Sequence, residues 1–151
     1  MEETSPKDQI DYQNLVERAE QVDATTFKVE YKDESVYVGE VREGRRQGQG
    51  KYTFPNQEFL EGTFVADKLE GKGVYSTEQL KYEGDWVDGF QEGQGTETWK
   101  DGSVYTGGFK GGDKHGYGEY KWGDGAAFKG DWCQGEIHGQ GEFLFKNGSR
   151  Y

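Results

Sequence analysis

The sequence predicts an all-β protein: a single-layer, elongated and twisted antiparallel sheet of tandem β-hairpin repeats, with a short N-terminal α-helix. Three observations carry this expectation. A unit of about 23 residues recurs from Gly39 to Tyr151. Within each unit, large apolar residues and glycines alternate with polar ones, the period-two signature of strands whose two faces differ. Short polar breaks such as Asp101-Gly102 separate the alternating runs, and Asp-Gly between such runs is a strong hairpin signal.

The stretch Tyr82 to Gly107 shows the unit most plainly. Tyr82, Gly84 and Trp86 alternate with Glu83, Asp85 and Val87 in a first strand. A short loop around Gly89 leads to Gly93 and Gly95, and a second strand runs through Thr96, Glu97 and Thr98 to Trp99 before Lys100 to Ser103 turn the chain into the next unit. Aligned on the first glycine, Gly39, Gly62, Gly84, Gly107 and Gly130 fall into register. So do the inner pairs Gly48 and Gly50, Gly71 and Gly73, Gly93 and Gly95, Gly116 and Gly118, and Gly139 and Gly141. Two residues ahead of each first glycine stand Tyr37, Leu60, Tyr82, Tyr105 and Phe128. Two residues after it come Val41, Phe64, Trp86, Phe109 and Trp132. These share a strand face with the glycine between them. Taking both inner glycines as inward positions, the second strand adds Tyr52, Phe54, Tyr75, Trp99, Tyr120, Trp122, Phe143 and Phe145 to that face.

This tandem pattern resembles the MORN (membrane occupation and recognition nexus) repeat, with five copies at 39–61, 62–83, 84–106, 107–129 and 130–151. Three departures stand out. The second copy is one residue short, with Ser76 to Gln79 in place of the Asp-Gly turn; Leu60 replaces an aromatic residue; and Glu97 occupies an aromatic position in the third copy. Irregular hairpins are expected at these places.

Composition agrees with a single sheet. Hydrophobic residues make up 31% of the 151, while aromatics reach 15% and glycines number 25, which is little aliphatic material for a two-layer globule. Rings lying flat over the glycines of neighbouring strands would use these residues as a packing device. The periodicity of the glycines argues against disorder. Ten to eleven strands, curved into a trough with one aromatic face, are expected.

The first 24 residues stand outside the repeat. Ser5 reads as a helix N-cap followed by Pro6 and Asp8, and Tyr12, Leu15, Val16, Ala19 and Val22 form one stripe of an amphipathic helix over about 6–22. Such a helix packs either on its own sheet or on another chain. Residues 25–38 read as a degenerate half repeat closing the first edge, with Phe27, Val29 and Tyr31 alternating and no glycine pair. At the other end Gly148, Ser149, Arg150 and Tyr151 repeat the turn and aromatic residue that precede a unit. Either the array continues there, or the last strand offers its edge to a partner.

Charge and reactive residues exclude several functions. The net charge is −11, with −5 in residues 1–26 and −6 in the rest. No stripe of bases suits nucleic acid. The local cluster Arg42, Arg45 and Arg46 is flanked by Glu40 and Glu43, which argues against direct membrane binding. The single cysteine, Cys133, allows no internal disulfide, so a cytoplasmic location is the expectation. His115 and His138 hold the same repeat position, which accounts for their spacing without a metal site. The Gly-x-Gly strings lack the context of a phosphate loop. No catalytic, cofactor-binding or metal-binding residue is assigned, no cofactor is expected, and the chain reads as a non-enzyme.

An uncovered aromatic face would exceed the apolar patches that soluble monomers usually expose. The expected partner-binding face is Tyr52, Tyr75, Tyr82, Trp86, Tyr105, Phe109, Tyr120 and Trp132. It would hold a partner's helix or peptide in the trough, add a strand at the C-terminal edge, or join two copies as a homodimer. Resemblance to MORN proteins implies a scaffold or adaptor in a cytoskeletal or ciliary, axonemal assembly. The alternative is a regulatory or membrane-localising module of a larger enzyme, since similar arrays accompany lipid kinases and a SET-domain methyltransferase.

Overall fold

Period-two alternation becomes twelve antiparallel strands in the computed structural model, which describes residues 15–151. The chain divides after Tyr75 into two compact units. In the first, β1 (Val16–Gln21), β2 (Thr26–Tyr31), β3 (Val36–Arg42), β4 (Arg45–Thr53), β5 (Phe59–Val65) and β6 (Lys68–Ser76) follow one another in sheet order. In the second, β7 (Leu80–Val87), β8 (Phe90–Trp99), β9 (Val104–Lys110), β10 (Asp113–Lys121), β11 (Ala127–Cys133) and β12 (Glu136–Leu144) do the same.

The count exceeds the expected ten to eleven because of β1. The described part of the expected helix is a strand: Ala19 pairs with Val29 and Gln21 with Phe27, so β1 lies outside the half repeat that was expected to form the edge. The stripe is not an apolar helix face, since Leu15 and Val22 are exposed. Strand pairing with β2 satisfies this backbone, and the apolar spacing that also fits a helix is overridden. Residues 6–14 of the expected helix lie outside the described residues, and no helix occurs among the described ones.

Each repeat uses two kinds of turn. Inside a repeat the strands are joined by two residues in left-handed conformation: Glu43-Gly44, Ala66-Asp67, Asp88-Gly89, Gly111-Gly112 and Gln134-Gly135. Asp88 and Gly89 have φ of 52° and 83°, the type I′ geometry whose twist matches that of the flanking strands. The Asp-Gly breaks, by contrast, are wider. Trp99 N–H donates to Ser103 O at 2.8 Å, Gly102 N–H donates to Trp99 O at 3.0 Å, and the Asp101 carboxylate accepts from Ser103 N–H at 2.9 Å. The same closure recurs at Tyr31–Ser35, Phe54–Glu58, Trp122–Ala126 and Phe145–Ser149. In the short second copy Thr77 N–H bonds Leu80 O instead, and Thr77 Oγ1 accepts from Gln79 and Leu80, so the missing residue is absorbed in the loop.

The inner glycine pair splits its roles, contrary to the expectation that both point inward. Gly93 sits at a register shift opposite Gly84–Trp86 with φ 96°, a bulge position that suits glycine. The acid after the first glycine holds that bulge: Asp85 Oδ2 accepts from Gln94 N–H at 3.0 Å, and Glu40 Oε2 from Gln49 N–H at 2.6 Å. The second inner glycine faces the first across the hairpin, as in Gly39 with Gly50, Gly84 with Gly95, Gly107 with Gly118 and Gly130 with Gly141.

Candidate functional site

On that double-glycine floor a ring lies. A Cβ added at Gly95 would come within 2.5 Å of Tyr82, at Gly118 within 2.3 Å of the Tyr105 hydroxyl, and at Gly141 within 2.2 Å of Phe128. Each tyrosine then reaches past its own glycine to donate its hydroxyl to a backbone carbonyl three residues on. Tyr37 bonds Glu40 O at 2.7 Å, Tyr82 bonds Asp85 O at 2.8 Å, and Tyr105 bonds Gly108 O at 2.9 Å. All three tyrosines are fully buried, and burial raises their pKa, that of Tyr105 to about 12.

The aromatic residue two places after the first glycine covers the tyrosines edge-on. Phe109 meets Tyr82 at 4.9 Å and Tyr105 at 5.2 Å, Trp132 meets Tyr105 at 5.3 Å and Phe128 at 5.7 Å, and all are near-perpendicular. In the first unit Phe64 does the same to Tyr37 at 5.4 Å. A single-layer sheet thereby builds a core from its own rings, because glycines let the first ring lie flat and leave its upper face for the next.

This corrects the expected partner-binding face. Tyr82, Trp86, Tyr105, Phe109 and Trp132 are buried in the ladder and offer a partner almost no surface. Tyr52, Tyr75 and Tyr120 are half-buried, and two of them are tied at the hydroxyl: Tyr52 shares a 2.7 Å hydrogen bond with buried Ser35, and Tyr75 donates to Glu58 at 3.0 Å.

What remains accessible is a second, outer ribbon of rings from the far ends of the second strands. In the second unit Trp99, Tyr120, Trp122, Phe143 and Phe145 touch in series, with centroids 5.7, 4.7, 6.2 and 6.2 Å apart. Trp122, Phe143 and Phe145 lie nearly parallel, at 16° and 21°. Four of the five rings are half-buried and Phe145 is 47% exposed. In the first unit Tyr31, Tyr52 and Phe54 make a shorter run at 5.7 and 5.0 Å. Trp99, Trp122, Phe143 and Phe145 are visible as inward positions in the sequence. No local sign separates them from the buried rings: Tyr105 lies directly opposite Tyr120 in the strand register and is fully buried.

A cation sits on the rings of each unit. The Lys114 ammonium lies 4.8 Å from the Trp99 centroid and 5.5 Å from that of Tyr105, and pairs with Glu97 at 3.6 Å. Glu97, the acid in an aromatic position, is buried, and that burial raises its pKa against the opposing pull of Lys114. Arg46 holds the repeat position equivalent to that of Lys114, 4.8 Å over Tyr52 and 5.7 Å over Phe64, with its guanidinium 3.3 Å from Asp67. The arginine cluster is therefore divided: Arg42 and Arg45 are exposed, while Arg46 packs into the ring face. His115 and His138 are not brought together with other ligand-type residues, and no group of three or more potential metal ligands occurs among the described residues.

This geometry defines a class: a tandem array of hairpins in which, in four of the five repeats, a flat ring lies on a double-glycine floor and an edge-on ring packs against it. The chain belongs to the MORN repeat family, whose pattern matches residues 37–58, 61–77, 82–104, 105–127 and 128–150. Four of the five matches open on the flat ring itself, at Tyr37, Tyr82, Tyr105 and Phe128. No curated protein matches the chain. Among solved structures it is similar in fold to the TCP domain of SAS-4 (dCPAP) of Drosophila melanogaster, solved in complex with a proline-rich motif of Ana2 (dSTIL). The TM-score is 0.52 at 13% identity, over 87% of this chain and 72% of that one.

Proposed function

We propose that this protein is a non-enzymatic scaffold or adaptor that binds an extended or helical segment of a protein partner on the outer ring ribbon. The accessible run Trp99, Tyr120, Trp122, Phe143 and Phe145 carries the reading. Aromatic rings that stay half-exposed while their neighbours are sealed supply large contact area at low conformational entropy, the character of binding hot spots. The buried tyrosine hydroxyls bond carbonyls and Glu97 pairs with Lys114, so these groups serve the fold, and the ribbon supplies the contact surface for a partner. Support also comes from the structural neighbour, which was solved with a peptide motif bound. A cytoskeletal or ciliary assembly in the cytoplasm is the setting we propose, on the family resemblance.

A photo-crosslinking residue in place of Phe145 tests this against the same residue in place of Tyr117, an exposed ring outside the ribbon. Expected are protein adducts from cell extract at position 145 that Trp122→Ala abolishes, with none at 117. Equal adducts at both positions, or none at 145, would overturn the reading.

A further inference from the structure

We infer that the ribbon of the second unit is built for a polyproline II segment with a proline at every third residue, lying across the strands along the array. The inference rests on the partner-binding reading above and names the partner's chemistry. Its basis is register. Thr98 pairs with Val104, Val104 with Lys121, Lys121 with Ala127, and Ala127 with Leu144. The next residues, Trp99, Trp122 and Phe145, therefore fall on one line perpendicular to the strands, each two strands from the last.

Neighbouring strands lie ~4.8 Å apart, so rings two strands apart repeat at ~9.6 Å. A polyproline II helix rises ~3.1 Å per residue with three residues per turn, so one edge returns every ~9.3 Å. The mismatch is ~0.3 Å per ring. A β-strand covers the same interval in about three residues, but its period of two turns every second contact away from the rings. An α-helix returns to one face after seven residues, ~10.5 Å, and drifts by ~1 Å at each ring. The polyproline geometry alone among the three keeps both face and spacing.

Two further features suit that ligand. The Trp132 indole N–H donates to Gly118 O at 3.3 Å and that of Trp86 is buried without an acceptor, whereas among the described residues the indole N–H groups of Trp99 and Trp122 have no protein acceptor and stay open to solvent. A polyproline II backbone leaves its carbonyls unbonded and open to such donors. Charge sets the residues between the prolines. Residues 76–151 carry 13 acids against eight bases, and the exposed Asp101 and Asp124 each follow a ribbon tryptophan by two residues. Lys100, Lys121 and Lys146 flank the same rings, so it is the carboxylates of Asp101 and Asp124 that basic residues between the prolines would meet.

The test uses the full chain and three synthetic peptides, read by tryptophan fluorescence and NMR line shifts. The first has prolines at every third position with arginine and glutamine between; the second has the same composition with prolines at every fourth; the third is an amphipathic helix. We expect the first to bind at least ten-fold more tightly than the second. Trp122→Ala, and separately Phe145→Glu at the exposed end of the ribbon, should each weaken it about ten-fold. Equal affinity for the two proline spacings, or binding indifferent to both variants, would overturn the inference. Preference for the helical peptide, lost in Phe145→Glu, would overturn the proline periodicity and leave the ribbon as a partner site. No peptide binding together with no adducts at position 145 would overturn both.

Discussion

Gly118→Ala adds a single methyl group where the fold leaves no room for one. The new Cβ would stand 2.3 Å from the Tyr105 hydroxyl oxygen, 2.5 Å from Cζ and 2.6 Å from Cε2, so the ring must move by about an ångström to reach ordinary contact. It is not free to move. Phe109 and Trp132 press on it edge-on at 5.2 and 5.3 Å, and its hydroxyl bonds Gly108 O at 2.9 Å. Overpacking costs ~1–3 kcal/mol, and breaking the hydrogen bond adds ~1 kcal/mol, so about 3 kcal/mol of stability should be lost. For a chain of this length that lowers the melting midpoint by ~6–12 °C. Urea denaturation gives the free energy, and an unchanged slope would show that the folded state keeps its extent. Gly116→Ala serves as the contrast. Gly116 has open space around it but φ 75°, so its loss should be only the ~1–2 kcal/mol of a left-handed alanine. If the Tyr105 ring is the obstacle, adding Gly118→Ala to Tyr105→Ala should cost at least ~1 kcal/mol less than in the parent. A midpoint equal to wild type, or strict additivity in that cycle, would refute the flat-ring packing.

Three further outcomes are expected. Gly107→Val should destabilise by ~2 kcal/mol or more despite valine's preference for strands, because its Cβ would meet Gly118 Cα at 2.4 Å and Tyr117 O at 2.7 Å; stability equal to the parent in urea would contradict this. Because burial raises the Glu97 pKa, the folded state holds that proton more tightly than the unfolded chain. The burial penalty is therefore present in full above the raised pKa and is relieved as pH falls through it toward the ordinary glutamate value. The urea midpoint of the wild type should thus gain on that of Glu97→Gln between pH 7 and 4, and a pH-independent difference would be the contrary result. At the alkaline end, Tyr37, Tyr82 and Tyr105 keep their protons while the unfolded chain ionises near pH 10, so stability should fall as pH rises from about 10 toward 12. Ultraviolet titration should show these tyrosines ionising only with unfolding, and ordinary titration of all ten in the folded state would argue against their burial.

Periodicity made the strands, the repeat and the ring-over-glycine floor legible from the sequence, because backbone alternation and the absence of a side chain are local facts. Tyr82, Gly84 and Trp86 declare a face, and Asp-Gly declares a turn, wherever they stand. Other features could not be read locally. Leu15, Val16, Ala19 and Val22 are spaced for a helix, and pairing with the partner strand β2 made Val16–Gln21 a strand instead. That Gly93 is a bulge while Gly95 is a floor depends on pairing across the hairpin, which the spacing of two glycines does not express. The division of the aromatic face into a buried ladder and an accessible ribbon likewise belongs to tertiary structure. Tyr105 and Tyr120 look equivalent in sequence, yet the one is closed over by Phe109 and Trp132, while the other is left half-buried beside Trp99 and Trp122. Composition says how many rings there are, and only their packing against one another says which remain for a partner to touch.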